Sequence, residues 1–318
     1  MTDFANRLFK AHYIPKQEVS IDESLVATKG RTCMTQYIPS KSAKRGVKFW
    51  VLAESGTGYI MDMKCYLGKI FSPVQQGTLQ GTSVVMDMLQ RCDLLRKSYH
   101  VVCDNFFASI DLAKKLLQNG TYMTGTIRKT RPMPPSIKLA DVAPGTARYM
   151  RQGKMLMAAY RTDRPGRKPV RLLSTLCHAD TNQGKPAIVK TYNKHMGGVD
   201  EADMLLSFYD GKRKSIKVWK KMALHIFQRM LLNAYILYTK HTSDQKKKSR
   251  IRFNQDVIDG LAREHLPAHR PIAAARRGGA ELQLIHNPGT YTCFKTFNSC
   301  NKRCLLYAVL TGVYIRTT

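Results

Sequence analysis

Between Glu18 and Ile127 the chain reads as strand, strand, strand, helix, strand, helix, strand, and the first and fourth of those strands each end in an aspartate. Such an order builds one mixed α/β sheet rather than a bundle or a sandwich. Glu18 to Asp22, Val47 to Leu52 and Tyr59 to Met63 alternate or run apolar as strands do, and Glu54-Ser55-Gly56-Thr57-Gly58 supplies the hairpin turn of an antiparallel meander. Thr82 to Leu95 places Val84, Val85, Met88, Leu89 and Leu95 near helical spacing, with Thr82 or Ser83 available to cap its start. Tyr99 to Cys103 is a short apolar strand ending at Asp104, Phe106 to Asn119 is a helix closed by Gly120, and Thr121 to Ile127 is a further strand. This order lets Asp22 and Asp104 lie on neighbouring strands, although the long separation in sequence leaves other topologies open.

From Lys129 the text changes. Arg131-Pro132-Met133-Pro134-Pro135 and Asp163-Arg164-Pro165-Gly166-Arg167-Lys168-Pro169 punctuate short strands at Lys154 to Tyr160 and Val170 to Leu176. From Lys129 to Pro186 there are 12 Lys and Arg against Asp141, Asp163 and Asp180, so this small β insertion is expected to line a nucleic-acid path. Gly197-Gly198 then allows a tight turn, and Asp200 begins a helix with Asp203 on the same face. After Ser215, an apolar stripe through Ile216, Trp219, Ala223, Ile226, Met230 and Ala234 predicts an amphipathic helix whose outer face carries Lys217, Lys220, Lys221 and Arg229. Beyond about His241 the helical signal fades, and Ala273-Ala274-Ala275-Arg276-Arg277-Gly278-Gly279 reads as linker.

The charge balance decides between classes of partner. Lys and Arg number 52 against 22 Asp and Glu, a formal net charge of +30, which attracts polyanions and repels cationic partners. No apolar stretch reaches membrane-spanning length, and Met222 to Tyr238 is interrupted by His225, Gln228, Arg229 and Asn233. The first residues lack the basic-then-apolar layout of a secretory signal. Cys33, Cys65, Cys92, Cys103, Cys177, Cys293, Cys300 and Cys304 are scattered, as in a reducing compartment. The excess of base points to the nucleus, and Lys246-Lys247-Lys248-Ser249-Arg250 is compatible with a localisation signal, although such runs are more often plain solvated surface.

Against this basic background the aspartates stand out. Taken singly, each has an ordinary reading: Asp104 as a helix N-cap, Asp22 as a turn residue, Asp200 as a helix-starting acid favoured by the dipole. Taken together, Asp22, Asp104 and Asp200, with Asp203 one turn beyond, form a carboxylate set that repels itself unless a hard divalent cation lies within it. Two such ions can activate an attacking water or hydroxyl and stabilise the departing oxygen in an in-line displacement at phosphorus. His195, just before Met196-Gly197-Gly198, is a candidate phosphate contact, with a surface or core histidine as the alternative.

Several segments also carry a family resemblance: Ser20-Ile21-Asp22-Glu23-Ser24-Leu25, Arg31 with Gln36-Tyr37-Ile38-Pro39-Ser40-Lys41, Gly46-Val47-Lys48, Cys103-Asp104-Asn105-Phe106-Phe107, and Tyr192 through Asp203. In that order, from about residue 1 to His241, the chain resembles piggyBac-type transposases and their domesticated derivatives, a DDE group with a ribonuclease-H-like core. The resemblance implies an α/β, ribonuclease-H-like mixed sheet flanked by helices, in which Asp22, Asp104 and Asp200 are the catalytic and metal-binding triad and Asp203 is the adjoining carboxylate. It also implies two Mg²⁺ or Mn²⁺ ions, double-stranded DNA as partner with transposon ends and TTAA targets, a homodimer, and strand cleavage followed by strand transfer. Lys48, Arg128, Lys129, Lys194, His195 and Lys212-Arg213-Lys214 are the basic residues expected to meet DNA.

The expected division is 1–128 as the first part of the core, 129–187 as the basic β insertion, and 188–210 as the last part of the core with the third aspartate. Residues 211–242 follow as a helical dimerisation and DNA-binding remnant, then 243–318 as a basic, poorly ordered tail. Family members usually carry a long segment before the first motif, so with about twenty residues ahead of Asp22 the chain reads as N-terminally truncated. Where the family has a zinc module, only Cys293, Cys300 and Cys304 with nearby His286 are found, and without paired CxxC spacing they argue against zinc. The competing expectation is a catalytically silent, domesticated DNA-binding protein.

Overall fold

The computed structural model describes residues 1–30, 32–39, 41, 43–68, 77–179, 184–209 and 215–263. Its elements in chain order are α1 (Thr2–His12), β1 (Glu18–Ala27), β2 (Thr35–Tyr37), β3 (Arg45–Glu54), β4 (Ile60–Cys65), α2 (Gln80–Arg91), β5 (His100–Cys103), α3 (Ile110–Gln118) and β6 (Tyr122–Thr126). There follow α4 (Pro135–Lys138), β7 (Ala147–Gln152), β8 (Met155–Tyr160), β9 (Val170–Ser174), α5 (Ala187–His195), α6 (Gly198–Phe208), α7 (Val218–His241) and α8 (Arg250–Arg263).

One nine-stranded mixed sheet runs β2-β3-β1-β5-β6-β9-β8-β7, with β4 also paired to β3. Among the described residues only β1–β5 and β5–β6 pair in parallel. All four residues of β5 are buried, as a strand covered on both faces requires, and Val101-Val102-Cys103 supplies the uninterrupted apolar run that such burial selects. The three strands of the basic segment join this sheet: β9 pairs with β6, β8 with β9, and β7 with β8. Alternation along β8 serves two cores. Leu156, Ala158 and Tyr160 pack with Ile188 and Val189 of α5, while Met157 and Ala159 belong to the main core.

The helices differ from expectation at their starts. α3 begins at Ile110 rather than Phe106, because Ser109 Oγ accepts from Leu112 N at 3.0 Å and takes the N-cap. The start of α2 lies at Gln80, ahead of Thr82, and Leu79 offers no side-chain cap. α7 starts at Val218, after the exposed Ile216, and its inward face is turned from the expected stripe: Trp219 is exposed, and Arg229, expected on the outer face, has no exposed surface. Its burial is tolerated because the guanidinium finds partners, as does Asn233, whose side chain donates to Ile60 O at 2.8 Å and accepts from Ile60 N at 3.0 Å.

One polar knot ties three elements together. Buried Glu54, at the end of β3, accepts from Tyr13 Oη at 2.7 Å, from Lys16 N at 3.0 Å and from the Thr57 hydroxyl. Lys240 of α7 lies 3.7 Å away. Residues 242–263 belong to a second unit, in which a 3-10 turn at Asp244–Lys246 leads to α8. That helix falls where the periodic signal was expected to end. Phe253, Val257 and Leu261 recur at i, i+4 and i+8 with Ile251 and Ile258 beside them, and Asp256 on the polar side is held by Lys248 at 2.7 Å and by Arg252 at 3.3 Å. Among the described residues no helix is long and apolar enough to cross a membrane.

Candidate metal centre

Parallel pairing of β1 and β5 puts Ile21 opposite Cys103, so the next residues lie side by side, Asp22 within β1, which runs on to Ala27, and Asp104 just past the end of β5. Beyond Cys103 the chain leaves the sheet. Asp104 Oδ1 accepts from Phe106 N at 2.7 Å, and its carbonyl accepts from Phe107 N and Ala108 N at 3.3 and 3.0 Å. That turn aims the side chain without making it the cap of α3. On the neighbouring strand Asp22 Oδ1 accepts from Glu23 N at 2.7 Å. Asp22, Glu23 and Asp104 can each offer one carboxylate oxygen so that all three lie within 4.8 Å of one another.

Glu23 is the ligand candidate that sequence reasoning missed. Strict alternation along a strand sends neighbouring residues to opposite faces, so Asp22 and Glu23 would not ordinarily share a site. The carboxylates meet where β5 has already ended, and there a long Glu side chain reaches a group that the preceding Asp also borders.

α6 brings the remaining acids to the same end of the sheet, and Gly198 makes that possible. A Cβ at Gly198 would stand 2.6 Å from Ser20 Oγ and 2.8 Å from Glu54 O, whereas one at Gly197 meets nothing within 4 Å. Only the second glycine of the pair is therefore demanded by close approach. Two residues later Asp200 lies in the first turn of α6, mostly exposed, and one turn further on Asp203 points back at β1. Asp203 Oδ1 accepts from Ser24 Oγ at 2.7 Å, and Arg229 Nη2 donates to that same hydroxyl at 2.6 Å while lying 3.8 Å from Asp203 Oδ1. Asp200 stands outside the close group of three. It is joined to that group by Lys41, whose Nζ is 3.3 Å from Asp200 Oδ1 and 3.7 Å from Asp22 Oδ2.

The electrostatics fit a cation-binding role. Burial pushes Asp22 up to about 7, against the pull of Lys41, with the Asp104 charge adding to the rise. Glu23 is also raised, by burial and then by Asp104. Asp203 is raised by burial, with Arg229 and Ser24 opposing. A cluster that cannot hold its negative charges cheaply is one that a divalent cation relieves, and an all-oxygen donor set suits hard ions such as Mg²⁺ or Mn²⁺. The Lys41 ammonium loses stability by burial, yet the charges of Asp22 and Asp200 more than compensate and its pKa is raised.

The basic residues divide. Arg128 is exposed beside the site, its Nε donating to Asn105 Oδ1 at 2.6 Å, and Lys129 is exposed next to it. Lys48 was expected on a DNA-contacting surface but is buried, its ammonium 4.6 Å from the Tyr66 ring, 5.0 Å from Trp50 and 5.1 Å from Phe106. Cation–π attraction holds it there, and burial lowers its pKa against the pull of Glu23.

His195, the candidate phosphate contact, lies away from Asp104. Its ring faces His100 at the opposite end of β5, with centroids 6.4 Å apart, and its carbonyl accepts from Ser55 Oγ. Four residues of strand, roughly 13 Å, separate that end from Asp104. Lys194 is exposed at the close of the same helix. Lys212, Arg213 and Lys214, and the proposed zinc residues Cys293, Cys300 and Cys304, lie outside the described residues. Tyr192 of α5 was not singled out, yet its phenol is bonded to Thr126 and pushed up to about 12 by burial, with Asp104 and Asp22 close enough to contribute.

A mixed sheet that delivers carboxylates from two parallel strands and one helix is the architecture of a ribonuclease-H-like core, and comparison with known proteins agrees. Residues 1–235 match the family described as Transposase IS4, and the chain belongs to that family. Its similarity runs to piggyBac proteins in particular. It is 29% identical over 264 residues to human PiggyBac transposable element-derived protein 3, covering 77% of this chain and 44% of that protein. Human PiggyBac transposable element-derived protein 2 is 25% identical over 250 residues, covering 72% and 42% respectively. The chain thus spans less than half the length of these relatives. Among solved structures, the piggyBac transposase synaptic complex with hairpin DNA matches with a TM-score of 0.75 and 29% identity, over 84% of this chain and 58% of that one.

Proposed function

We propose that this chain carries the catalytic core of a piggyBac-like DDE transposase, which cleaves and joins DNA strands with divalent metal ions. The observation that carries the reading is the register Ile21 opposite Cys103, which sets Asp22 and Asp104 together from segments far apart in sequence. Asp22, Glu23 and Asp104, with Asp200 and Asp203 presented by α6, are the residues to hold the ions. When bound, a pair of Mg²⁺ or Mn²⁺ ions supplies charge stabilisation at the attacking and departing oxygens of an in-line displacement. The chain's own residues do the rest. Ser24 and Arg229 hold the Asp203 carboxylate in place. Arg128 and Lys129 offer positive charge to the phosphodiester backbone beside the carboxylates.

The formal charge of +30 supports a DNA partner and a nuclear location, and the piggyBac likeness extends the proposal to transposon ends, TTAA targets and a dimeric assembly. The Lys129 to Pro186 segment, on this reading, lines the DNA path. The test is Mg²⁺-dependent nicking of supercoiled plasmid by the purified chain, lost in Asp104→Asn. Equal nicking by that variant overturns the assignment. Binding that falls steeply with salt, with no cleavage by either protein, favours instead a domesticated DNA-binding protein whose carboxylates no longer turn over.

A further inference from the structure

Lys41 touches the carboxylates, and the proposed chemistry does not use it. It sits between β2 and β3 and spans two elements: its Nζ is 3.7 Å from Asp22 Oδ2 on β1 and 3.3 Å from Asp200 Oδ1 on α6. Its side chain is three-quarters covered and that of Asp22 more so, which screens their contact less than a pair in open water, whereas Asp200, 70% exposed, leaves the second contact open to solvent. An ammonium carries one positive charge and three donors, and it satisfies carboxylates as a small cation does while supplying only one of the two charges of a magnesium ion. The carboxylates it joins are those for which a divalent ion must compete.

Resting on the metal-site reading above, we propose that Lys41 is an internal counter-ion of the site: its ammonium bridges Asp22 and Asp200 when no divalent ion is bound, and it must be displaced when one enters. This gives it two opposite effects. It keeps α6 and β1 together in the metal-free protein by cancelling the repulsion between Asp22 and Asp200. It also weakens divalent-ion uptake, because binding has to break both of its contacts. The site therefore stays closed and charge-balanced at low metal, and loading has a threshold set by a side chain on a loop outside the acidic segments.

The experiment is calorimetric titration of the metal-free chain with Mn²⁺, alongside thermal melts with and without the ion, for wild type, Lys41→Met, Lys41→Arg and Lys44→Met. Lys41→Met keeps the length of the side chain and removes its charge. Its half-saturating Mn²⁺ concentration is expected to fall about tenfold, as loss of one partly shielded and one exposed ion pair allows. Its metal-free melting temperature is expected to drop and its gain on adding Mn²⁺ to exceed that of wild type. Lys41→Arg should restore wild-type uptake. Lys44→Met, which removes an exposed charge three residues away, should leave uptake unchanged and so excludes a general effect of net charge. Unchanged or weaker uptake by Lys41→Met, with wild type binding normally, overturns the counter-ion role and leaves the metal site standing. An equal gain in Lys44→Met also overturns it. No uptake by any of the four proteins overturns it together with the metal-site reading.

Discussion

Gly198 and Gly197 are chemically identical neighbours, and the structure assigns them opposite sensitivities. A Cβ at Gly198 would lie 2.6 Å from Ser20 Oγ, 2.8 Å from Glu54 O and 3.0 Å from Ser55 Cα, where ordinary contact begins near 3.4 Å. Two of those three atoms are backbone of β3 and its turn, which cannot rotate aside. In Gly198→Ala the N-terminus of α6 must therefore back away from the sheet by about half an ångström or more. Forcing a methyl into a packed site costs roughly 1–3 kcal/mol. The same retreat moves Asp200 and Asp203, which ride on α6. A misplacement approaching 1 Å can cost about 10²-fold in rate when reacting groups must be held in register. At Gly197 the added methyl meets nothing within 4 Å, so Gly197→Ala should change stability by no more than about 0.5 kcal/mol. Urea unfolding of the two variants reads the first effect, and Mg²⁺-dependent plasmid nicking reads the second. Equal midpoints and equal nicking for the two variants would refute the idea that close approach at Gly198 sets the position of α6.

Three further outcomes follow from the same geometry. Arg229→Met leaves Asp203 and Ser24 without their buried donor, and breaking such a pair should cost roughly 2–3 kcal/mol, below the usual buried-pair range because Asp203 keeps some solvent contact. Adding Asp203→Asn should recover part of that loss, and strict additivity in denaturant melts would show that the two residues are not coupled. Glu54, with its pKa depressed by the Thr57 and Tyr13 hydrogen bonds against the cost of burial, stabilises the fold above the ordinary carboxylate range and loses that contribution as pH falls through its folded pKa. The melting-temperature gap between wild type and Glu54→Gln should accordingly be largest near neutral pH and shrink in acid; a gap that widens in acid contradicts the sign. Lys48→Met should cost about 1 kcal/mol through the loss of its cation–π contacts while leaving the salt slope of DNA binding unchanged, since a caged ammonium neutralises no phosphate. A shallower slope would return Lys48 to the DNA surface.

Much of the central sheet is legible in the sequence because its strands are short, apolar and punctuated. β5 reads directly from Val101-Val102-Cys103 followed by an acid, and β3 and β4 from the hairpin turn between them. The pairing of β1 with β5 is legible only as a possibility, since nothing local fixes which strand fills the central place. What local pattern hides is polar burial. Arg229 lies on a helix whose hydrophobic stripe argues that it faces solvent, yet it is buried because Ser24 and Asp203, two hundred residues earlier or one helix away, wait to receive it. Lys48 is hidden likewise by three rings drawn from β3, from the chain just after β4 and from the turn after Asp104. Among the carboxylates, Asp22, Asp104, Asp200 and Asp203 are all found at one end of the sheet. The close group of three, however, contains Glu23 in place of Asp200, because strand alternation is a poor guide at a point where a neighbouring strand has ended.

The account stands or falls on whether one cation touches segments so far apart in the chain. Replacing Mg²⁺ with Fe²⁺ and adding ascorbate and peroxide generates hydroxyl radicals at the bound ion, and these cut the polypeptide within a few ångströms of it. Peptide mapping should then find cuts clustered near Asp22, near Asp104 and near Asp200 to Asp203 in one reaction, suppressed together by excess Mg²⁺ and by Asp104→Asn. Cuts confined to one of those segments, or scattered cuts that Mg²⁺ fails to suppress, would contradict a shared metal centre.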